Sequence, residues 1–413
     1  VDLAGYTLPE SDDLRKAISK KQKDKLLKHR EKFIHGASDR GMPTETAAQI
    51  FDQWEEFARY GFNKCLPANA EIIDADTGQV VTLGDLAAGR ATPTHTLSCN
   101  LETLRLERGR IVHLLENGVK PIFRLQTASG RVLEATGNHP CYTFDGWRRL
   151  DELTPGTAIA APRRLPVSGA AEWPDHAVIA LGHLLAEGNL CHPHSVYFYS
   201  QDRAQVDDFV RAAEAFENVS CTAAMHKSTW SVYARRKDRR LPPGIFTWAQ
   251  QLGLTGHNAR TKSIPPEVFS LSPQQIGLLI SRMWEGDGHI DLPGRSLFYA
   301  TASHRLARQM QHLLLRLGIL SNIRRVVFPY KEARVGWQVF ITGNDNLAAF
   351  HAQIGAQMVS PERRTTLQHL ILAQSVNGGT RDVVPLAIKG LVRAAKARTG
   401  LTWTQLRAET GVA

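Results

Sequence analysis

Gly61-Phe62-Asn63-Lys64-Cys65-Leu66-Pro67 joins two unlike kinds of sequence. Before Lys64 the chain is polar and reads as helix up to a glycine. After it, starting with a cysteine, short apolar runs alternate with turn residues. The stretch predicts a domain boundary at the Lys64–Cys65 bond. Helices precede the boundary, strands follow it, and helices return further on, so the fold class is multidomain α+β.

Upstream, residues 14–35 read as one Lys-rich helix with Leu14, Ile18, Leu26, Leu27 and Phe33 as its apolar positions. Its lysines fit a solvated face. Pro43-Thr44 opens a second helix, in which Ala47, Ile50, Phe51, Trp54 and Phe57 recur at i, i+3, i+4, i+7 spacing. Gly61 is placed as its C-terminal cap.

The 413 residues allow about two to four domains. The net charge of +10 favours anionic partners and points towards nucleic acid. Residues 1–64 hold 12 basic and 11 acidic residues, so the excess lies beyond Lys64. Cys65, Cys99, Cys141, Cys191 and Cys221 are odd in number and lack C-x-x-C spacing, which argues against a disulfide framework and a zinc site. A reducing cytoplasm is the expected home. No apolar run reaches transmembrane length, so a membrane is not an expected partner. The first residue, Val1, suggests a piece of something longer.

Downstream, Ala70–Asp74 meets Gln79–Thr82 across Ala75-Asp76-Thr77-Gly78, a hairpin signal. Further turns fall at Ala128-Ser129-Gly130-Arg131 and Asp145-Gly146, with apolar runs at Arg110–His113 and Ile122–Leu125. These predict a compact all-β domain over about 65–168. Apolar helices follow at 176–190 and 273–288. They end in Ala186-Glu187-Gly188-Asn189 and Glu285-Gly286-Asp287-Gly288. At an offset of 100, Glu187-Gly188 matches Asp287-Gly288, Phe198-Tyr199 matches Phe298-Tyr299, and Val206 and Val210 match Leu306 and Met310. The duplication predicts a pseudo-two-fold domain over 169–390, with repeats at 176–270 and 273–370. Residues 391–413 read as the start of a helix-turn-helix.

Two constellations carry chemistry. A thiol next to its own amide can attack the preceding carbonyl and turn the peptide bond into a thioester. This needs an activated thiol, a proton for the leaving nitrogen and donors for the oxyanion. Cys65 supplies the first and His139 suits the second. Thr136 Oγ and a backbone N–H near Asn138 are placed at the carbonyl oxygen. Thr136-Gly137-Asn138-His139 by itself also describes a histidine in an ordinary turn. The second constellation is the acid pair. Phosphodiester cleavage needs Mg²⁺ held by carboxylates, and two helices side by side bring Glu187 and Asp287 together, with Ala186 and Gly286 allowing close approach. One such helix end alone would read as a polar cap. Tyr233–Arg240 contributes Arg235, Arg236, Lys237, Arg239 and Arg240 as candidate phosphate contacts, against a solvated loop. Arg324, Arg325 and Lys331 are placed similarly in the second repeat.

These motifs resemble known families. Ala4-Gly5-Tyr6, Arg30-Glu31-Lys32-Phe33 and Phe57–Lys64 resemble the α subunit of bacterial DNA polymerase III. Cys65-Leu66-Pro67-Ala68-Asn69-Ala70-Glu71-Ile72 and Thr136-Gly137-Asn138-His139-Pro140, with Trp147 and Leu150–Gly156, resemble the first two motifs of inteins. That resemblance implies the horseshoe β fold of Hedgehog/intein splicing domains, with Cys65 as first nucleophile assisted by Thr136 and His139. Leu181–Gly188 and Met283–Gly288 resemble the paired motifs of LAGLIDADG homing endonucleases. This implies an αββαββα order for the duplicated domain and a monomeric, Mg²⁺-dependent nuclease acting on double-stranded DNA of the uninterrupted polymerase gene, with Lys262 in Thr261-Lys262-Ser263-Ile264-Pro265 as auxiliary catalytic lysine.

The sequence departs from these families in three places. It ends Thr410-Gly411-Val412-Ala413, where inteins end His-Asn before Cys, Ser or Thr, so a C-terminal intein half and C-extein are expected as missing partners. The first acid is Glu187 rather than Asp. Arg282 stands where a small residue is usual, predicting looser helix packing. A decayed domain that holds DNA without cutting it is the other reading of the same residues.

Overall fold

The computed structural model describes residues 3–19, 23–60, 64–293, 296–329, 333–373 and 388–405. Two compact units emerge. One comprises residues 1–67, 115–125 and 134–159; the other comprises 68–114, 126–133 and 160–413.

In the first unit, α1 (Leu8–Ser19), α2 (Lys23–Ser38) and α3 (Thr44–Tyr60) enclose a small core of Tyr6, Leu14, Leu26, Phe33, Ala47 and Phe51. The single helix expected over 14–35 is two helices. Leu14 and Phe33 would lie about 28 Å apart on one straight helix, yet both line this core. Leu27 is 48% exposed and off the apolar face. Gly61 and the side chains of Trp54 and Phe57 lie outside the described residues.

The strands beyond the junction are short. β1 (Glu71–Ile73) pairs antiparallel with β2 (Val80–Thr82), with Ile73 opposite Val80 and Gly78 at φ 81° in the turn, as the sequence indicates. Thr82 caps α4 (Leu83–Ala87), its Oγ1 accepting from Asp85 N. β3 (His95–Asn100) and β4 (Arg105–Arg110) form a second hairpin. β5 (Ile122–Gln126) and β6 (Val132–Thr136) flank the turn in which Thr127 N donates to Arg131 O. β7 (Pro140–Thr143) and β8 (Gly146–Arg149) pair around Gly146, at φ 98°. The apolar run at 110–113 is no strand. β4 ends at Arg110, and Val112 is 87% exposed, with no core to pack on.

The rest of the second unit is built twice over. α5 (Asp175–Glu187), β9 (Gly188–Asn189), β10 (Tyr197–Ser200), α6 (Arg203–Glu214), β11 (Val219–His226), β12 (Thr229–Arg236) and α7 (Gly244–Gln251) come first. α8 (Pro273–Asp287), β13 (Gly288–Asp291), β14 (Ser296–Thr301), α9 (His304–Arg316), β15 (Ser321–Pro329), β16 (Ala333–Ile341) and α10 (Asn344–Gln353) repeat the order. The sheets run β9-β10-β12-β11 and β13-β14-β16-β15, the same topology twice. Both copies share one core, in which Leu181, Leu184, Phe198, Met283, Trp284 and Tyr299 are buried. α5 and α8 are apolar on nearly every side because they are enclosed on nearly every side. α11 (Pro361–Ala373) and α12 (Ile388–Thr399) follow; residues 403–405 are helical and 406–413 lie outside the described residues. Among the described residues no helix is long and apolar enough to cross a membrane.

The offset of 100 holds for the helix ends but not beyond them. Gly188 pairs with Phe198, whereas Gly288 pairs with Tyr299. Phe198 and Tyr299 are the buried pair, while Phe298 sits on the other face. One extra residue between the paired positions Gly288 and Tyr299 shifts the repeat to 101 there. A one-residue slip exchanges the two faces of a strand, so Phe198 corresponds to Tyr299 and not to Phe298. The helix caps agree, Asp202 opening α6 and Ser303 opening α9.

Candidate functional site

The junction comes first. Cys65 is half-buried, and its amide N–H donates to Thr136 Oγ1 at 2.9 Å. Thr136 N–H donates back to Cys65 O at 3.0 Å. The buried Thr136 hydroxyl thus stands at the nitrogen of the Lys64–Cys65 bond, where the sequence placed it at the carbonyl oxygen. Two donors face the sulfur: Asn117 Nδ2 at 3.5 Å and Lys120 Nζ at 3.6 Å. Neither stood out in the sequence, because fifty residues of strand and loop separate them from Cys65.

A tight turn sets His139, whose N–H donates to Thr136 O at 2.9 Å while its carbonyl accepts from Leu150 N at 2.8 Å. Gly137 is required there, since a Cβ would come within 2.7 Å of Asp151 Oδ2 and 2.8 Å of Phe123. Burial, then the charge of Lys64, lowers the His139 pKa and favours the neutral imidazole. Its Nδ1 is buried without a hydrogen-bond partner among the described residues. Asn138 is half-buried in the same turn.

The acids come next. α5 and α8 pack against each other so closely that a Cβ on Gly286 would lie 2.6 Å from Ala186 Cβ and 3.0 Å from Glu187 Cγ. Glu187 therefore lies beside the turn of α8 that carries Asp287. Burial, then the charge of Glu187, pushes the Asp287 pKa up to about 7, against the opposing pull of Lys262 and the Tyr299 hydroxyl. That hydroxyl donates to Asp287 Oδ2 at 3.1 Å. Glu187 reaches solvent at its edge, yet the protein around its carboxyl also raises its pKa. Lys262 is buried, and its Nζ donates to Leu184 O, Ala186 O and Gly188 O at 2.9, 3.1 and 2.8 Å. A cation capping three terminal carbonyls of α5 holds that helix end next to the acids.

The second repeat has the same device. Arg363 Nη1 donates to Trp284 O and Gly288 O, both at 3.0 Å, capping α8 as Lys262 caps α5. Numbering does not link the two residues, because the offset drifts along the repeat: Phe198 corresponds to Tyr299, but its strand partner Val232 corresponds to Val339. Glu187, Glu285, Glu362 and Arg363 line a cavity of about 1080 Å³.

Arg282 does not loosen the helices. Its Cβ lies 2.5 Å from where a Cβ on Gly182 would be, so the opposing glycine makes the room. Its Nε donates to the buried Asp208 at 2.7 Å, and Asp208 also bonds His183 Nε2 at 3.0 Å. Burial alone would raise the Asp208 pKa, but His183 and Arg282 hold it down at about 2.

The basic candidates separate by strand face. Arg235 lies opposite Ser220 with its guanidinium 5.6 Å from the Tyr233 ring, and Arg324 lies 4.3 Å from the Phe340 ring. Arg236 is opposite the buried Val219, and Arg325 opposite Trp337, which packs on the core. Adjacent strand residues point to opposite faces, so the two side chains of each pair leave the strand in different directions. Arg235, Arg236, Arg239 and Arg240 do line a common cavity of about 760 Å³ with His192, His194, Tyr197 and Tyr233. Asn218 shapes that loop, with Nδ2 donating to Asp238 O, Leu241 O and Pro242 O. Lys237 is exposed, and Lys331 lies outside the described residues.

Comparison with known proteins now bears on these sites. Residues 274–355 match the LAGLIDADG-like domain, and residues 1–41 match the bacterial DNA polymerase III alpha subunit finger domain. DNA polymerase III subunit alpha of Thermus aquaticus is 46% identical over 78 residues, 19% of this chain and 6% of that protein. A DnaB intein of Synechocystis sp. PCC 6803, known from a crystal structure, is 33% identical over 25% of this chain and 73% of its own, with a TM-score of 0.23. The chain belongs to the inteins, carries a LAGLIDADG domain and opens with polymerase III alpha sequence. The replicative DNA helicase DnaB of Rhodothermus marinus is 34% identical over 355 residues, 80% of this chain and 37% of that protein. The intein chain spans little more than a third of the length of such curated relatives. I-DmoI in complex with DNA and Ca is 11% identical over 47% of this chain and 97% of its own, with a TM-score of 0.33. At these TM-scores none of the solved geometry transfers to this intein.

Proposed function

We propose that this chain performs two reactions: an N-to-S acyl shift at Lys64–Cys65 that begins protein splicing, and site-specific cleavage of double-stranded DNA by residues 169–390. The acyl-shift reading rests on the bond from the Cys65 amide to Thr136. Cys65 Sγ attacks the Lys64 carbonyl carbon, the C–N bond breaks, and the nitrogen takes one proton to become a free amine. His139 would move that proton, and Thr136, which accepts from the Cys65 amide, would hold the nitrogen. Asn138 lends the turn its backbone. The β segment 65–168 is the splicing domain in this reading, and residues 1–64 are the N-extein. Completion of splicing needs a C-terminal intein half and C-extein.

The cleavage reading is carried by one observation, the convergence of Glu187 and Asp287 at two touching helix ends. Raised carboxylate pKa values in a concave site mark a place where a cation would be welcome. The donor set is oxygen alone, which suits a hard divalent cation such as Mg²⁺. Bound there, Mg²⁺ would polarise the phosphodiester and its attacking water. Glu187 and Asp287 would hold it, and Lys262 would fix the end of α5 while its charge faces the acids. The sheets, related by a pseudo-two-fold, would lie along the DNA major groove, with Arg235, Arg324 and the Arg239-Arg240 loop reaching phosphates. Arg236, Lys237, Arg325 and Lys331 would contribute at the margins. The unit acts as a monomer in the cytoplasm.

The test is incubation with Mg²⁺ and a plasmid carrying the uninterrupted polymerase gene. Specific cutting that disappears in Asp287→Asn, with DNA binding kept, supports the enzyme. Binding without cutting in the wild type supports the decayed reading.

A further inference from the structure

The contacts to the Cys65 sulfur are not those the splicing motifs supply. Asn117 and Lys120 belong to the irregular segment between β4 and β5, outside both motifs. Gly118, at φ 65°, turns the chain between them and lets both side chains face one atom. Both are donors within 3.6 Å of Sγ. A thiol accepts hydrogen bonds weakly and a thiolate strongly, so two donors aimed at sulfur favour the charged form. An ammonium adds its charge. The bland alternative is a surface lysine and asparagine that pass near a half-buried cysteine without consequence.

We propose that Lys120, supported by Asn117, is a catalytic residue of the Lys64–Cys65 acyl shift, stabilising the Cys65 thiolate by direct contact with sulfur. The inference rests on the acyl-shift reading above. The thiol proton leaves to solvent, the S–C bond to the Lys64 carbonyl carbon forms, the C–N bond breaks, and the Cys65 nitrogen gains one proton. The step is an isomerisation with no net proton change and no co-reactant. Lys120 releases the sulfur as the S–C bond forms, so it acts on the attacking state and leaves the thioester unencumbered.

The magnitude follows from the exposure of the contact. An ionic contact at a site open to solvent is worth well under a decade, so removing the Lys120 charge should slow attack by about threefold.

The experiment uses the full chain with Lys120→Met and Lys120→Arg beside the wild type. It measures the rate of Cys65 alkylation by iodoacetamide, read by peptide mass, and the rate at which added thiol releases residues 1–64. Both rates should fall about threefold in Lys120→Met and stay near wild type in Lys120→Arg. Unchanged alkylation in Lys120→Met would overturn the assignment, as would an equal loss in a folded Lys120→Arg. Absence of thiol-induced release from the wild type would instead defeat the acyl-shift reading, whatever the alkylation rates.

Discussion

Glu285→Gln should stabilise the protein in mild alkali and not in mild acid. Glu285 lies on α8 two residues before its end and is 1% exposed. Its Oε1 accepts from Ser360 N at 2.7 Å, while Oε2 is buried with no partner among the described residues. Burial pushes its pKa from an ordinary 4.5 up to about 7, only partly countered by the Ser360 N–H and the Arg282 charge. A raised carboxylate contributes stability that is fully present below 4.5 and is lost as pH rises through 7. The full difference is about 3 kcal/mol. Glutamine does not titrate and keeps an oxygen for Ser360, but its NH₂ takes the unpaired place at a cost of about 1 kcal/mol. The variant should therefore lead the wild type by about 2 kcal/mol near pH 8.5, or roughly 4–8 °C in melting temperature. Near pH 5 it should match or trail it. Thermal melts at both pH values test this. A difference that does not grow with pH would show that Glu285 is not held protonated by burial.

Three further outcomes follow from the same helix ends. Gly286→Ala places a methyl 2.6 Å from Ala186 Cβ; overpacking of this kind costs about 1–3 kcal/mol, measurable by urea unfolding. It should also impair DNA cleavage more than DNA binding, because it pushes the acids apart. Arg363→Met leaves Trp284 O and Gly288 O without their cation; nicking assays should show one strand cut more slowly than the other, as the device belongs to one repeat. Acid should unfold the second unit through Asp208. Its pKa is held at about 2, so the stability it gives is present above 3.8 and lost as pH falls through 2; circular dichroism across that window reads it.

The sequence carried the elements further than their relations. Hairpins were legible wherever a glycine turn joined two apolar runs, as at Gly78 and Gly146, because the turn chemistry is local. The apolar helices ending at Glu187 and Asp287 were legible from their periodicity, and Gly286 gave away their close approach. The break between α1 and α2 was not, since only the shared core of Leu14 and Phe33 requires it. The extra residue before Tyr299 was hidden because Phe298-Tyr299 repeats Phe198-Tyr199 at an offset of 100, and Arg363 carries no pattern that links it to Lys262. Arg282 misled because the glycine and the aspartate that accommodate it, Gly182 and Asp208, are distant in sequence. Lys120 and Asn117 carry no pattern at all; only the fold brings them to Cys65.

The account depends most on sulfur at position 65 accepting the acyl group of Lys64. Intact-mass spectrometry of the folded chain after incubation with an added thiol measures this directly. A fragment of residues 1–64 bearing the thiol as a thioester at Lys64, absent from Cys65→Ala, is the predicted result. No fragment from the folded wild type, or the same fragment from Cys65→Ala, would contradict it.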